Sequence, residues 1–124
     1  MYIQSFRELI VWQKAVELAK EVYLATERFP GKEVFGLQSQ MRRAAVSIAS
    51  NIAEGHRRGT KRDFLQFLRI SDGSTAEIET QMTIAKAIYK TCDFSKVDPL
   101  LMEVQKMLSV MIKKIEVAAA TSKR

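Results

Sequence analysis

The stretch from Leu37 to Ile52, LQSQMRRAAVSIASNI, decides the fold that this 124-residue sequence predicts. Its apolar side chains recur at steps of three and four residues, at Leu37, Met41, Ala44, Ala45, Ile48 and Ile52. That spacing puts them on one side of a helix with 3.6 residues per turn, and polar side chains occupy the other side. We therefore predict an amphipathic helix over residues 33–56, which Gly55 begins to terminate.

The same spacing continues on both sides of this stretch and predicts three more helices, over residues 6–28, 61–90 and 97–119. Ser5 and Glu8 have the spacing of a capping box at the start of the first helix. Thr60 and Asp63 have the pattern of a cap before the third. No segment alternates with the period of two that is typical of a strand.

Helices joined by short connections pack as antiparallel neighbours, so the sequence predicts an all-α fold, an antiparallel up-down-up-down four-helix bundle. We expect a single domain over residues 1–124. A globin-like or orthogonal arrangement is the alternative, although it usually needs more and shorter helices. We expect the largest apolar side chains of the stripes in the bundle core or at a subunit contact: Trp12, Leu37, Met41, Ile48, Ile52, Phe67, Leu68, Ile78, Met82, Leu108, Met111 and Ile112.

Residue types for catalysis or metal binding are scarce. The one histidine, His56, has no cysteine or second histidine at metal-ligand spacing, and the one cysteine, Cys92, has no base near it in the sequence. A di-iron site of the kind found in four-helix bundles needs two Glu-x-x-His pairs, which a single histidine does not allow. We therefore expect a protein that is not an enzyme, with no cofactor and no metal site.

Composition also bears on the compartment. A lone cysteine forms no internal disulfide and favours a reducing environment. No stretch of the sequence reaches the roughly 18 apolar residues that a membrane-spanning helix needs. We therefore expect a cytoplasmic protein without a membrane partner.

Positive charge is concentrated in one part of the chain. The formal net charge is +6, from 20 basic and 14 acidic residues. Between Leu37 and Arg69, seven basic residues stand against only Glu54 and Asp63: Arg42, Arg43, Arg57, Arg58, Lys61, Arg62 and Arg69. Such a segment attracts polyanions such as nucleic acid, whose phosphates arginine and lysine neutralise. The alternative is a solvated surface that keeps the protein soluble.

Two of the predicted helices also carry small and polar side chains on one face: Ser47, Asn51 and Glu54 on the second, and Gly73, Ser74 and Glu77 on the third. Three interpretations remain open, which are a solvated face, a hydrogen-bonded contact with another helix or subunit, and a ligand pocket. Glycine inside a helix costs up to about 1 kcal/mol relative to alanine. We therefore expect Gly73 to permit the close approach of another helix.

Ordered blocks of the sequence carry a family resemblance. The central one runs from Gln40 to Ile48 and from Ser50 to Gly55, and smaller blocks are Val11-Trp12-Gln13, Phe29-Pro30, Glu33, Gly36-Leu37, Phe67-Leu68, Gly73-Ser74 and Glu77-Ile78-Glu79-Thr80-Gln81. Between about Phe6 and Ile115 the chain resembles the 23S rRNA-intervening sequence protein family. Two positions depart from its pattern, because Ala49 stands where the family often has proline and Ser71 where it often has alanine.

The resemblance implies a bacterial or archaeal protein whose up-down four-helix bundle assembles into a homopentameric ring or barrel. Some members of the family are encoded within sequences that interrupt bacterial 23S ribosomal RNA genes, and most have no known biochemical role. A related accessory protein of diversity-generating retroelements partners a reverse transcriptase and binds nucleic acid through a basic surface. The resemblance therefore favours self-association, with nucleic acid or a nucleic-acid-processing protein as a further partner.

Together these observations predict a non-catalytic oligomeric scaffold that binds nucleic acid, RNA in preference to DNA, through the seven basic residues. Aromatic residues are sparse among them, and Phe64 and Phe67 lie on the apolar stripe, so phosphate contacts should dominate. The alternative is a protein-interaction adaptor, for example accessory to a reverse transcriptase or a ribosome-maturation enzyme, without direct nucleic-acid contact. The sequence does not separate the two, because arginine serves both purposes.

Overall fold

The computed structural model describes residues 5–34 and 36–122. Most of them belong to four α-helices: α1 Ile10–Thr26, α2 Leu37–Arg57, α3 Lys61–Ile88 and α4 Val97–Ser122. Short 3-10 turns precede α1 and α2, at Phe6–Glu8 and Gly31–Glu33. No strand occurs in the part of the chain that the structure describes, so the predicted all-α four-helix fold is confirmed.

Two helices begin later than the sequence pattern predicts. The first begins at Ile10, because the extended backbone of Leu9 (φ −73°, ψ 123°) separates it from the preceding 3-10 turn. Ser5 therefore caps that turn rather than α1. The second begins at Leu37, and its first turn is capped by the carboxylate of Glu33, which accepts a hydrogen bond from the Leu37 amide at 3.0 Å.

Neither glycine of the helix interiors has the role that the sequence pattern predicts. The prediction that Gly55 begins to terminate α2 is wrong, because the helix continues to Arg57 and the chain reverses at Gly59, whose φ of 86° favours glycine. Gly55 is instead buried against α3, where a Cβ in its place would lie 2.6 Å from the Cβ of Phe67. Within the chain the expectation for Gly73 is also wrong, because a Cβ there would meet no atom within 4 Å.

Contacts from α2 to α3 and from α3 to α4 show that these neighbouring helices run in opposite directions. Between α2 and α3, Gly55 lies against Phe67 and Ser47 against Ser74, so the residue order reverses from one helix to the next. The same reversal relates α3 and α4 through the pairs Arg69–Glu116, Glu79–Gln105 and Lys86–Asp98. Each helix packs against two others, α1 and α3 both contacting α2 and α4. The result is a four-helix arrangement around one core, in which α2, α3 and α4 alternate in direction.

The predicted core residues lie inside this arrangement. Seven of them are buried: Met41, Ile48, Ile52, Leu68, Ile78, Met82 and Leu108. The others are half-buried at the margin of the core: Trp12, Leu37, Phe67, Met111 and Ile112. Because none of the twelve is exposed, the helices have the register that the apolar spacing predicts.

Candidate nucleic-acid interface

The turn between α2 and α3 carries four basic side chains, all of them exposed: Arg57, Arg58, Lys61 and Arg62. The chain reverses at Gly59, and the hydroxyl of Thr60 caps α3 by accepting the Asp63 amide at 3.1 Å. Cations are favoured at the carbonyl end of a helix, where α2 places two of these arginines. The turn therefore gathers positive charge at one end of the bundle.

Aromatic rings pack behind the turn and fix its position. Half-buried Phe64 and Phe67 lie against Gly55, and the His56 ring meets Phe64 edge-on with 5.8 Å between ring centroids. The glycine is needed because a Cβ would clash with Phe67. These contacts set where α2 ends and α3 begins, and so where the basic side chains enter solvent.

A fifth cation, Arg7, lies near the turn between α2 and α3 and belongs to the first 3-10 helix, Phe6–Glu8. The guanidinium carbons of Arg7 and Arg57 lie 5.8 and 5.9 Å from the centroid of the Phe6 ring, and Trp12 packs on that ring edge-on. Arg7 is absent from the predicted basic residues, because the packing of α1 on α2 brings it near the turn and proximity in the sequence does not. The register of those two helices is the signal that would have found it. We call five exposed side chains the cationic end: Arg7, Arg57, Arg58, Lys61 and Arg62.

Carboxylates offset part of this charge. Arg58 forms an ion pair with Glu54 at 2.9 Å, and both side chains are 52% exposed. The hydrogen bond to Glu54, reinforced by its charge, raises the pKa of the Arg58 guanidinium. The other acidic residues of the same segments are Glu8 and Asp63. Five cations against three carboxylates leave the cationic end positive.

Comparison with known proteins agrees with this architecture. Residues 7–110 match the family described as 23S rRNA-intervening sequence protein. The chain belongs to this family. A solved structure from Bacteroides thetaiotaomicron VPI-5482, described as a protein of unknown function from the S23 ribosomal protein family, matches it with a TM-score of 0.73 at 22% identity. The match covers 84% of this chain and 99% of that one, and at this identity it shows the shared fold alone. No curated protein sequence matches the chain.

Two residues that depart from the pattern of the 23S rRNA-intervening sequence proteins fit well in this structure. Ser71 is buried, and its hydroxyl donates a hydrogen bond to the backbone carbonyl of Ile48 at 2.9 Å, which ties α3 to α2. Ala49 is half-buried inside α2 and keeps the amide hydrogen that a proline would lack. Neither position belongs to the cationic end.

Arg42 does not lie with the other predicted basic residues. It is half-buried at the opposite end of the bundle, where its guanidinium donates to the Thr26 hydroxyl at 3.0 Å and to the Tyr23 carbonyl at 3.1 Å. The same group covers the Tyr23 ring, 4.5 Å from its centroid. These contacts tie the start of α2 to the end of α1. The guanidinium group of Arg42 is therefore occupied by contacts within the chain.

Arg43 and Arg69 are exposed but lie away from the turn. Arg43 precedes Arg57 by about 21 Å along α2, at 1.5 Å per residue. Arg69 forms an ion pair with Glu116 of α4, and the two side chains are 55% and 46% exposed. Of the seven predicted basic residues, the structure thus brings four together at the cationic end.

The small and polar residues predicted for a helix contact separate into two groups. The hydroxyls of Ser47 and Ser74 share a hydrogen bond between α2 and α3, and the Asn51 side chain donates to the Ser47 carbonyl at 2.8 Å. The remaining three are exposed: Glu54, Gly73 and Glu77. Part of the predicted contact therefore lies within the chain, and the rest faces outward.

Other kinds of site have little support in the described residues. No group of three or more His, Cys, Asp or Glu side chains there could hold a metal ion. None of the helices in residues 5–34 and 36–122 combines the length and hydropathy needed to cross a membrane. A half-open cavity of 590 Å³ lies at the opposite end of the bundle, beside half-buried Cys92, but its lining mixes acidic residues with Arg28 and Lys96.

Proposed function

We propose that this protein is a non-catalytic oligomeric scaffold that binds nucleic acid, RNA in preference to DNA, through the cationic end. The observation that carries the proposal is the convergence of three segments, since the first 3-10 turn, the end of α2 and the start of α3 place five exposed cations together. Among the described ion pairs, none involves Lys61 or Arg62. Both charges are thus available to phosphates.

The proposal favours RNA because of the family to which the chain belongs, whose description refers to 23S rRNA. The side chains at the cationic end are long, exposed cations, which suit the phosphate backbone better than base edges in a groove. Binding of this kind depends strongly on salt, because each neutralised phosphate releases counterions. We expect affinity to vary little with sequence, in a cytoplasmic protein.

Self-association is the second part of the proposal, with a pentamer favoured by the family resemblance. The outer face of α3 supports it, because Ile70 and Ile84 lie two heptads apart and are 44% and 45% exposed. Exposed Gly73 lies between them, with open space where a second copy can approach. In a closed ring the cationic end would recur around one rim, which multiplies its field.

An adaptor that binds an acidic protein surface is the alternative function. The ion pair Arg58–Glu54 favours it, because it shows an arginine of the cationic end meeting a carboxylate. A reverse transcriptase or a ribosome-maturation enzyme would then be the partner. The same arginines serve either ligand, so a binding measurement has to separate the two functions.

The test is a titration of a fluorescent RNA at several salt concentrations. In the quadruple variant Arg57→Gln, Arg58→Gln, Lys61→Gln, Arg62→Gln, we expect weaker binding to all sequences and a flatter plot of log K against log salt. Each lost phosphate contact should reduce the slope by about 0.7–0.9. A matched control removes four exposed cations from the opposite end: Arg28→Gln, Lys32→Gln, Lys90→Gln and Lys96→Gln.

The control has the same net charge as the quadruple variant, so it separates position from total charge. If both variants weaken binding equally, the effect is one of net charge and the cationic end is not the site. If wild-type protein binds no RNA or DNA at low salt but captures an acidic protein through the same four residues, the adaptor function replaces the proposed one.

A further inference from the structure

Three of the five cations at the cationic end rest on aromatic rings. Arg7 and Arg57 lie 5.8 and 5.9 Å from the centroid of the Phe6 ring, and Arg58 lies 5.2 Å from that of Phe67. All three distances fall within the about 6 Å over which a ring attracts a cation. Among the described contacts, Lys61 and Arg62 have no such ring. The cationic end thus contains two kinds of positive group, ring-supported and free.

Support by a ring changes what an arginine can do. The guanidinium group is planar and can stack on a second π system, and a side chain that is already held loses less freedom on binding. Arg58 is held twice, by Phe67 and by its ion pair with Glu54. Glu54 offsets the charge of Arg58, so that group is a weaker phosphate ligand than Lys61 or Arg62. Its planar surface stays accessible, because the side chain is about half exposed.

The ligand that suits such groups has both flat unpaired surfaces and phosphates. Bases of a single strand expose their faces and stack on aromatic rings and on guanidinium planes, whereas bases of a duplex are already stacked on one another. Free cations beside these groups would follow the backbone. A duplex offers the phosphates but not the base faces.

We propose that the cationic end selects single-stranded over double-stranded nucleic acid, with Arg7, Arg57 and Arg58 stacking on unpaired bases while Lys61 and Arg62 contact phosphates. This inference rests on the proposed function and adds to it the class of strand. It also differs from the expectation that phosphate contacts dominate nucleic-acid binding. The rings of Phe6 and Phe67 support arginines at this surface, which the sequence pattern did not predict.

The experiment replaces arginine with lysine, which keeps the positive charge and removes the planar guanidinium group. The probes are an oligouridylate of about 20 nucleotides, a duplex of the same length, and an abasic strand of the same length and charge. The test variant is Arg7→Lys, Arg57→Lys, Arg58→Lys, and the matched control is Arg28→Lys, Arg43→Lys, Arg69→Lys, whose arginines lie outside the cationic end and have no ring support among the described contacts. All six side chains are exposed, so folding should be unaffected.

We expect wild-type protein and the control to bind oligouridylate at least about tenfold more tightly than the abasic strand, the effect of one stacked base. The test variant should bind both strands equally, with its salt slope unchanged. Phe6→Leu should reduce the same discrimination, because it removes the ring beneath Arg7 and Arg57. Equal binding of all three probes by wild-type protein would overturn the inference and leave the proposed function standing. A test variant that still discriminates between oligouridylate and the abasic strand would have the same consequence. Failure to bind any probe would overturn both.

Discussion

The hydroxyl of Tyr89, just after α3, donates a hydrogen bond to the carboxylate of Glu33, just before α2. The second oxygen of that carboxylate accepts the Leu37 amide at 3.0 Å. One acidic side chain therefore joins the end of α3 to the first turn of α2. The bond from Tyr89, and then the one from Leu37, holds the pKa of Glu33 below its usual range, and the same bond to Glu33 raises the pKa of Tyr89.

This relationship predicts how stability depends on pH. The contribution of Glu33 is present above the ordinary carboxyl pKa of 4.5 and is lost as pH falls through the lowered pKa of the folded state. The contribution of Tyr89 is present below 10.0 and is lost as pH rises through its raised pKa. Tyr89→Phe should lower the melting temperature at neutral pH and flatten its acid-side decline, because Glu33 then loses its main hydrogen bond.

Thermal melts followed by circular dichroism from neutral to acid pH measure this effect. Tyr23→Phe is the control, because the structure gives no hydrogen bond to the hydroxyl of Tyr23 among the described contacts. If the melting temperature falls equally steeply with decreasing pH in wild type and in Tyr89→Phe, the prediction is contradicted.

Gly55→Ala should destabilise the fold. The new Cβ would lie 2.6 Å from the Cβ of Phe67 and 3.2 Å from the Phe64 ring, and forcing apart α2 and α3 should cost about 1–3 kcal/mol. Helix propensity acts in the opposite direction by up to about 1 kcal/mol, so the net loss measures the clash. Urea unfolding gives the value, and a Gly55→Ala protein as stable as wild type would show that the two helices can separate freely.

Gly73→Ala should act through assembly instead. Within one chain the new methyl group meets nothing, so the folding of an isolated chain should gain about 0.5–1 kcal/mol. If a second copy packs against this face, light scattering should show the oligomer of the variant dissociating at higher protein concentration than wild type. An oligomer unaffected by Gly73→Ala would place the subunit contact elsewhere, and wild-type protein with the mass of one chain would end the proposal of self-association.

Arg42→Gln should cost stability and leave nucleic-acid binding alone. The variant loses hydrogen bonds from a charged, half-buried group to Thr26 and Tyr23, which should cost about 1–3 kcal/mol. Exposed Arg43, the next residue, provides the control, and Arg43→Gln should change stability by no more than about 0.5 kcal/mol. The log-log salt slope for RNA should be the same in both variants. A flatter slope for Arg42→Gln alone would show that Arg42 leaves its helix contact to bind phosphate.

Ile48→Ala should be among the most damaging single truncations. The side chain is fully buried between α2 and its neighbours, and removing it should cost about 2–5 kcal/mol of unfolding free energy. Val46→Ala, two residues earlier on the exposed side of α2, should stay within about 0.5 kcal/mol of wild type. Similar losses for the two variants would mean that the register of α2 is wrong.

The helices and the core could be predicted from the sequence because both depend on a repeating pattern. Ile48 and Ile52 recur at the helical period, and a register that buries one buries the other. Helix starts were less accurate, because a residue such as Glu33 can cap a helix through its side chain without belonging to it. The pattern also marks a glycine as unusual without saying which neighbour it meets, and so the close approach expected at Gly73 is found at Gly55 instead.

The candidate site was predicted only in part, because proximity in the sequence was its only guide. Arg57 and Arg62 stand close together in the sequence, on either side of the turn between α2 and α3, so their proximity in space follows directly from the sequence. Arg7 reaches the same end through helix packing, about 50 residues away along the chain. Arg42 looks like its basic neighbours in sequence, yet the end of α1 supplies acceptors that occupy it. Charge alone does not reveal such partners.

The length of α3 sets a long distance between the cationic end and the opposite end of the bundle, and the position of a bound ligand can be measured against it. Arg62 lies in the first turn of this helix, and exposed Thr91 lies just past its last turn, so a rigid rod of about 42 Å separates the two. A fluorophore attached to Thr91→Cys in a Cys92→Ser chain would stand clear of anything bound at the cationic end. Energy transfer to a second dye, placed at the 5′ or the 3′ terminus of a bound strand, would then report the direction in which that strand runs.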